Sequence, residues 1–298
     1  MDQGIRYESA LPPALVSKSG MGRGRAGQIL LGLALGWLGL MVLAALTAQI
    51  VAPFDYRATS LEARLLPPVG VGGAWPHLLG TDHLGRDILS RLLHSIQLSM
   101  AVALAGSLIG AAFGITLGFL AAHLRGVADS ICMALVDLQA SLPFMVVALG
   151  VLALFGNDFV LFVMVIGLHG WERYARLTRS LVLAEVEQGY VTALRGFRAP
   201  PLLIYRRHIL PNIAAALIVN FTLGFPEIIL LESGLSFLGL GIQPPLTSLG
   251  NMLGFGRDYI ADAWWLPVVP GLVIFMTTLA ISMAGDALRD RLDSRLNL

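Results

Sequence analysis

The sequence predicts an all-α integral membrane protein with six transmembrane helices. Three observations carry this. Charged residues make up only 13% of the 298 residues, with mean hydropathy +0.75, whereas soluble domains carry about 25% charge. Long runs free of Asp, Glu, Lys and Arg recur along the chain, several of them long enough for the roughly 20 residues a spanning helix needs. The runs are separated by short segments rich in Pro, Gly and Arg.

Residues 1–27 read as a polar, cytoplasmic N-terminal tail. A first transmembrane helix follows over 28–53, within the charge-free run 26–54. At 29 residues that run exceeds the ~7–15-residue apolar region of a cleavable signal, so an uncleaved span is expected. Residues 54–94 form a polar, periplasmic section containing LLPPVGVGGAWP. The transmembrane core, 95–290, holds five more helices. The second span lies in 92–124, where Gly106, Gly110, Gly114 and Gly118 step by four residues, the signature of a helix face that packs closely on another span. The third is expected over 130–154 and includes Asp137 and Pro143. The fourth has only 159–171 free of charge and is extended to about 182, with Glu172, Arg173, Arg176 and Arg179 reaching the headgroups or lying below them. The fifth, about 205–232, is interrupted by Pro211 and Pro226. A glycine-rich periplasmic section, 233–262, precedes the last charge-free run, 263–285, and residues 291–298 form a second cytoplasmic tail. Six spans put both termini on one side. The positive-inside rule agrees, because 15 of the 20 basic residues fall on the side of the termini.

The stretch Gln188–Asn212, QGYVTALRGFRAPPLLIYRRHILPN, is an arginine-bearing island between apolar runs. Tyr190, Ala193, Leu194 and Phe197 recur at i, i+3, i+4 and i+7 and so share one helix face; Thr192, Arg195 and Arg198 fall on the other. Pro200 ends this helix because the residue before a proline is pushed from the α region, and Pro201 can begin another. A short helix within 187–200, cornered by two prolines, is therefore expected outside the membrane, with the face of Thr192, Arg195 and Arg198 free to meet a partner or anionic headgroups.

Phosphate-loop, HExxH, GxSxG and CxxC patterns are absent, and the six histidines lack metal-ligand spacing. No catalytic residue, no metal and no nucleic-acid partner is expected. Cys132, the lone cysteine, excludes an internal disulfide and reads as a structural thiol. Carboxylates at membrane depth usually face a cavity or a partner. Asp137 and Glu227 are thus candidates for a translocation path that meets a cationic substrate group, or for structural pairs between spans; Glu232 is expected at the outer interface. Thr81, Asp82, Arg86 and Asp87 suit either a docking surface or an internal polar cluster that pins the first loop to the second helix, and the latter is the expectation here.

GTDHLGRDILSRLL (80–93), YVTALRGFRAPPLLIYRRHILPN (190–212), ESGLSFLGLGIQPP (232–245), GNMLGFGRDY (250–259) and GDALRDRLD (285–293) resemble, in order, the motifs of ABC-transporter permease subunits of the dipeptide/oligopeptide/nickel family, and of the second permease of the usual pair. The resemblance covers about 28–295. It implies a type I ABC-importer permease fold whose cytoplasmic coupling helix docks in a groove of a separate ATPase. Tyr190, Thr192, Ala193, Leu194, Arg195, Gly196, Phe197 and Arg198 would be the docking residues. It further implies a homologous second permease, two ATP-binding subunits that hold ATP and Mg, a periplasmic substrate-binding protein and a lipid surround in a bacterial inner membrane. This chain would bind no cofactor. Short peptides are the implied substrate, with nickel or a metal chelate as the alternative. Thr192 stands where the family's loop motif has glutamate, and Arg198 where it has glycine. Two readings of other classes stay open. One is an ion-coupled carrier using Asp137 and Glu227 as a relay, for which no inverted repeat is seen; the other is a membrane scaffold.

Overall fold

The computed structural model describes residues 25–73 and 75–296; residues 1–24 of the expected N-terminal tail, with Lys18, lie outside the described residues. The regular secondary structure of the described residues is helical, with two isolated bridges and no strand. In order come α1 (Arg25–Val51), α2 (Ile88–Leu124), α3 (Gly126–Ser141), α4 (Phe144–Phe155), α5 (Phe159–Gly167), α6 (Trp171–Val186), α7 (Gly189–Gly196), α8 (Pro201–Ile204), α9 (Leu210–Phe237), α10 (Leu249–Gly256) and α11 (Trp265–Leu296).

Four helical stretches among the described residues are long and apolar enough to cross a membrane: α1, α2, the run Pro201–Phe237 and Trp265–Leu292. A fifth arises if α3 and α4, bent by 88°, count as one. The six expected spans are thus met in part, and the differences have local causes. Pro143 caps α4 in an extended conformation (φ −62°, ψ 105°), so the continuous third span expected over 130–154 breaks there. The expected fourth span splits at Gly170, whose left-handed φ of +76° no continuing helix adopts. Pro226, by contrast, stays inside an unbroken α9, and the irregularity falls earlier, in a π-turn over Tyr205–Ile209 just ahead of Pro211. A proline ring clashes with the carbonyl four residues back and offers no N–H to it. A widened turn, in which the Leu210 N–H reaches the Tyr205 carbonyl, relieves both. The expected boundaries also move. α2 starts at Ile88, inside the expected 54–94 section, and α9 runs to Phe237, inside the expected 233–262 section.

The glycine face of α2 packs on α5 and α6. A Cβ added at Gly114 would lie 2.3 Å from the Trp171 carbonyl oxygen, and one at Gly118 would lie 2.6 Å from that of Ala175. At 37 residues, α2 is roughly 55 Å long at 1.5 Å per residue. It therefore outruns the ~30 Å hydrocarbon layer and projects into structure at both ends. At one end lies a cap made by residues 54–87 and the α10 region. At the other, Ala122 joins the apolar cluster that seats α7. A larger core around Ile88, Ile96, Phe162, Ile229 and Leu266 holds α2, α5, α9 and α11 together.

Candidate functional site

Three polar groupings stand out, at the two ends of α2 and along α6. At the first end, α6 stops at Val186, Gln188 turns extended (φ −69°, ψ 144°), and the eight residues of α7 follow. α7 hangs from the body by Val191, which is fully buried beside Ala122, Val182, Ile204, Ile209 and Ile213, with Leu194 and Ala199 partly buried on the same cluster. This corrects the expected apolar face. Phe197 is 85% exposed because it lies just past the last helical residue, and Ala193 is exposed. Tyr190 points sideways. Its hydroxyl donates to Glu185 (2.5 Å) and accepts from Asn212 Nδ2 (3.1 Å), which ties α7 to α6 and α9. Burial, then the hydrogen bond to Glu185 and its charge, hold the Tyr190 hydroxyl above the ordinary tyrosine range, against the opposing pull of Asn212. Thr192, Ala193, Arg195, Gly196, Phe197 and Arg198 form one continuous exposed surface.

The corner after α7 has a defined closure. The Arg198 N–H donates to the Arg195 carbonyl (2.9 Å) and the Ala199 N–H to the Leu194 carbonyl (3.1 Å), the paired bonds of a Schellman ending. That ending needs a left-handed residue, and Arg198 supplies it at φ +57°. The cost to a side-chain-bearing residue is about 1–2 kcal/mol, so the position where the resembled family has glycine is one where glycine would be unstrained. Pro200 then caps α8 and Pro201 opens it.

Along α6, Arg173, Arg176 and Arg179 step by three residues, and each meets a carboxylate from another helix. Arg173 Nη1 donates to Glu227 of α9 (2.9 Å), Arg176 Nη2 to Asp137 of α3 (3.1 Å), and Arg179 to both oxygens of Asp129 of α3 (2.5 and 2.6 Å). His169 Nε2 lies 3.7 Å from Glu227. Arg173 and Arg176 are the counter-ions of Glu227 and Asp137, and Arg179 is that of Asp129. The Asp137 side chain is 73% exposed and that of Glu227 47%, so water or another polar group can replace either partner at little cost. Asp129 was hidden because it falls between the second span, in 92–124, and the third, expected over 130–154. The signal that finds it is the eight-residue interval to Asp137, which puts both on one side of α3. Glu232, expected at an interface, is fully buried, accepting from the hydroxyls of Ser99 (3.0 Å), Ser236 (2.9 Å) and Ser233 (3.4 Å) where α10 folds back over α2 and α9.

At the other end of α2, Thr81, Asp82, Arg86 and Asp87 come together in the cap, facing inward. The Thr81 hydroxyl accepts from the Leu66 N–H (2.9 Å) and donates to the Ala63 carbonyl. Asp87 caps α2, its Oδ2 accepting from the Ser90 N–H and hydroxyl (both 2.8 Å) and its Oδ1 facing His77 Nδ1 (3.0 Å). Asp82 Oδ1 takes the N–H groups of Leu84 (2.8 Å) and Arg86 (2.9 Å), while Oδ2 takes Arg86 Nε (2.7 Å) and Arg91 Nη1. Burial pushes the Asp82 carboxyl upward, but the charges of Arg91 and Arg86 and the two backbone donors outweigh it and hold it below the ordinary range. Gly80 and Gly85 make the tight turns at φ +79° and +72°. The Ser60 carbonyl would sit 1.7 Å from any Cβ at Gly85.

Comparison with known proteins follows the geometry. A family described as "Binding-protein-dependent transport system inner membrane component" matches residues 114–298. A di/tripeptide transport system permease protein of Pseudomonas aeruginosa is 42% identical over 86% of this chain and 85% of its own. Dipeptide transport system permease proteins of Escherichia coli and Haemophilus influenzae are 38% and 36% identical, each over 86% of this chain and over 86% and 88% of their own. Among solved structures, the MetNI methionine ABC transporter in inward-facing form aligns with TM-score 0.54 and 19% identity, covering 69% of this chain and 97% of that one, a likeness of fold.

Proposed function

The chain belongs to the family of binding-protein-dependent transport system inner membrane components, a multi-pass inner-membrane transport subunit, and on that premise we propose that it is one permease half of an ATP-driven importer of short peptides. In this reading α3 with α4, and α5 with α6, each serve as one bent span, giving six with both termini cytoplasmic. α7 is the coupling helix. Two ATP-binding subunits, carrying ATP and Mg, close and push on it. A homologous second permease lines the other half of the path, and a periplasmic binding protein delivers substrate at the cap. The permeases named for dipeptides and di/tripeptides at 36–42% identity favour peptides over nickel or a metal chelate. The observation that carries the proposal is α7 itself: a short helix anchored by Val191 and Leu194, with a continuous surface around Arg195 that this chain leaves uncovered.

The rest of the mechanism follows from where the chain is stiff. The Schellman ending and the proline corner hold α7 at a fixed angle to α9, and Tyr190 ties it to α6, so a push on α7 moves both helices rather than bending a loop. Those helices carry Arg173 and Glu227. Moving them together past α3 would keep the Arg173–Glu227 pair but break or reform Arg176–Asp137 and Arg179–Asp129, where a peptide's ammonium and carboxylate offer matching charges. Arg195→Glu combined with Ala193→Trp in the assembled transporter tests the reading. Peptide uptake should fall at least tenfold while the complex still purifies intact and hydrolyses ATP. Uptake at the parental rate would refute α7 as the coupling element.

A further inference from the structure

Beyond the path and the coupling helix, the cap holds an excess of buried positive charge with an opening onto it. A cavity of about 140 Å³ lies among Tyr56, Arg57, Arg86, Arg91, Pro245 and Thr247. Arg91 is 4% exposed, and the Arg86 side chain 15%. Both guanidinium groups rest on the same oxygen of Asp82, and that carboxylate already accepts four hydrogen bonds, all that its lone pairs hold. One negative charge therefore stands between two desolvated positive ones. The remaining polar contact of Arg91 is a long 3.4 Å bond from Nη2 to the neutral Thr247 hydroxyl. Asp87, the nearest acid in sequence, is committed to His77 and Ser90. Arg57 adds a third cation on the rim. Its Nε donates to the Tyr56 hydroxyl (2.8 Å), and Asp55 accepts from its backbone N–H rather than its guanidinium. Buried charge left without a counter-ion is costly, and guanidinium is the donor best shaped to take a carboxylate on two N–H groups.

We propose that this cavity is a carboxylate-receiving site, and that its occupant is an Asp or Glu side chain of the binding protein seated on the cap. The inference rests on the transport reading above. The volume is several times a water's ~30 Å³ share of liquid, enough for one acidic side chain. Its walls are cap loops and the first turn of α2, which carries Arg91, away from the Arg173–Glu227 pair. Pro244 and Pro245, both exposed, form its lip beside Arg57. A protein approaching this face meets the rim cation first and the buried pair behind it.

The test uses the whole transporter reconstituted in liposomes, with ATP hydrolysis followed against binding-protein concentration at low and high salt. In the parent, the half-maximal concentration should rise with salt, since screening weakens rim charge. Arg57→Glu should raise that concentration at least tenfold at low salt and flatten its salt dependence, and Arg57→Lys should restore most of both. Arg91→Lys, judged beside a thermal unfolding curve, should shift the same midpoint without loss of the folded complex. If Arg57→Glu leaves the midpoint and its salt dependence unchanged, the site takes no carboxylate and the proposal fails. If the effect appears only with free-acid peptides and vanishes with C-terminal amides, the carboxylate belongs to the substrate and the binding-protein assignment is overturned. A parent complex that binding protein does not stimulate at all would strike the transport reading itself, and this inference with it.

Discussion

The ion pairs at the cap and those along α6 use the same chemistry in opposite settings. At the cap, Asp82 and Arg91 are almost wholly buried, and the carboxylate is saturated by four donors. Along α6, Asp137 and Arg176 are 73% and 53% exposed and share one bond of 3.1 Å. Burial makes the first cluster an all-or-nothing lock, because removing either partner strands a charge away from water. Exposure makes the second exchangeable, because water or a solute replaces a lost partner at little cost. The cap is thereby held in register, while the pairs along α6 can change partners.

The sharpest way to break that contrast is Asp82→Ala. Stranding Arg86 and Arg91 should cost about 3–5 kcal/mol, seen as loss of folded protein in detergent or a large fall in Tm. Acid should do the same more gently. The Asp82 carboxyl sits below its ordinary pKa in the folded chain, so its contribution is complete above the unfolded value near ~3.9 and is lost as pH falls through the lower folded value. The acid limb of a stability curve should therefore shift in Asp82→Asn, and an unshifted limb would mean that Asp82 is not the titrating lock. A smaller change of opposite sign is expected at the corner after α7. Arg198→Gly should stabilise the corner by about 1 kcal/mol by relieving the left-handed strain, read from local hydrogen exchange of Arg198 and Ala199 or from Tm. A destabilised variant would show that the arginine side chain supplies more than the backbone costs. Smallest of all, a double-mutant cycle on Arg176→Met and Asp137→Asn should give a coupling below about 1 kcal/mol. A coupling of about 3 kcal/mol or more would show that pair to behave like the buried cap cluster.

Much of this architecture was legible in the residues. The charge-free runs located α1, α2 and α11, and the four-residue glycine steps named the face of α2 that α5 and α6 approach. The double proline located the corner after α7. What stayed hidden depended on distant partners. Periodicity put Tyr190 and Phe197 on the buried face, but an eight-residue helix offers barely two turns, and Val191, a residue off that stripe, reaches the pocket behind it. Glu232 looked interfacial because the sequence cannot show α2 setting Ser99 against it or α10 folding back to cover the pair. Asp129, Asp137 and Glu227 were separate acids until α6 set three arginines opposite them. The Asp82 cluster was half visible: its four residues are adjacent, but Arg91 and Thr247, the latter 156 positions from Arg91, had to be folded in.

The unbroken length of α2 has a mechanical consequence. Its 37 residues contain no proline, and its backbone hydrogen bonds run in series from the capped Asp87 end to the apolar seat beneath Val191. A rod of that kind resists stretching and transmits tilt. A displacement of a few ångströms applied at one end of α2 would therefore reach the other as a shift or tilt of the whole rod, with no joint between to absorb it.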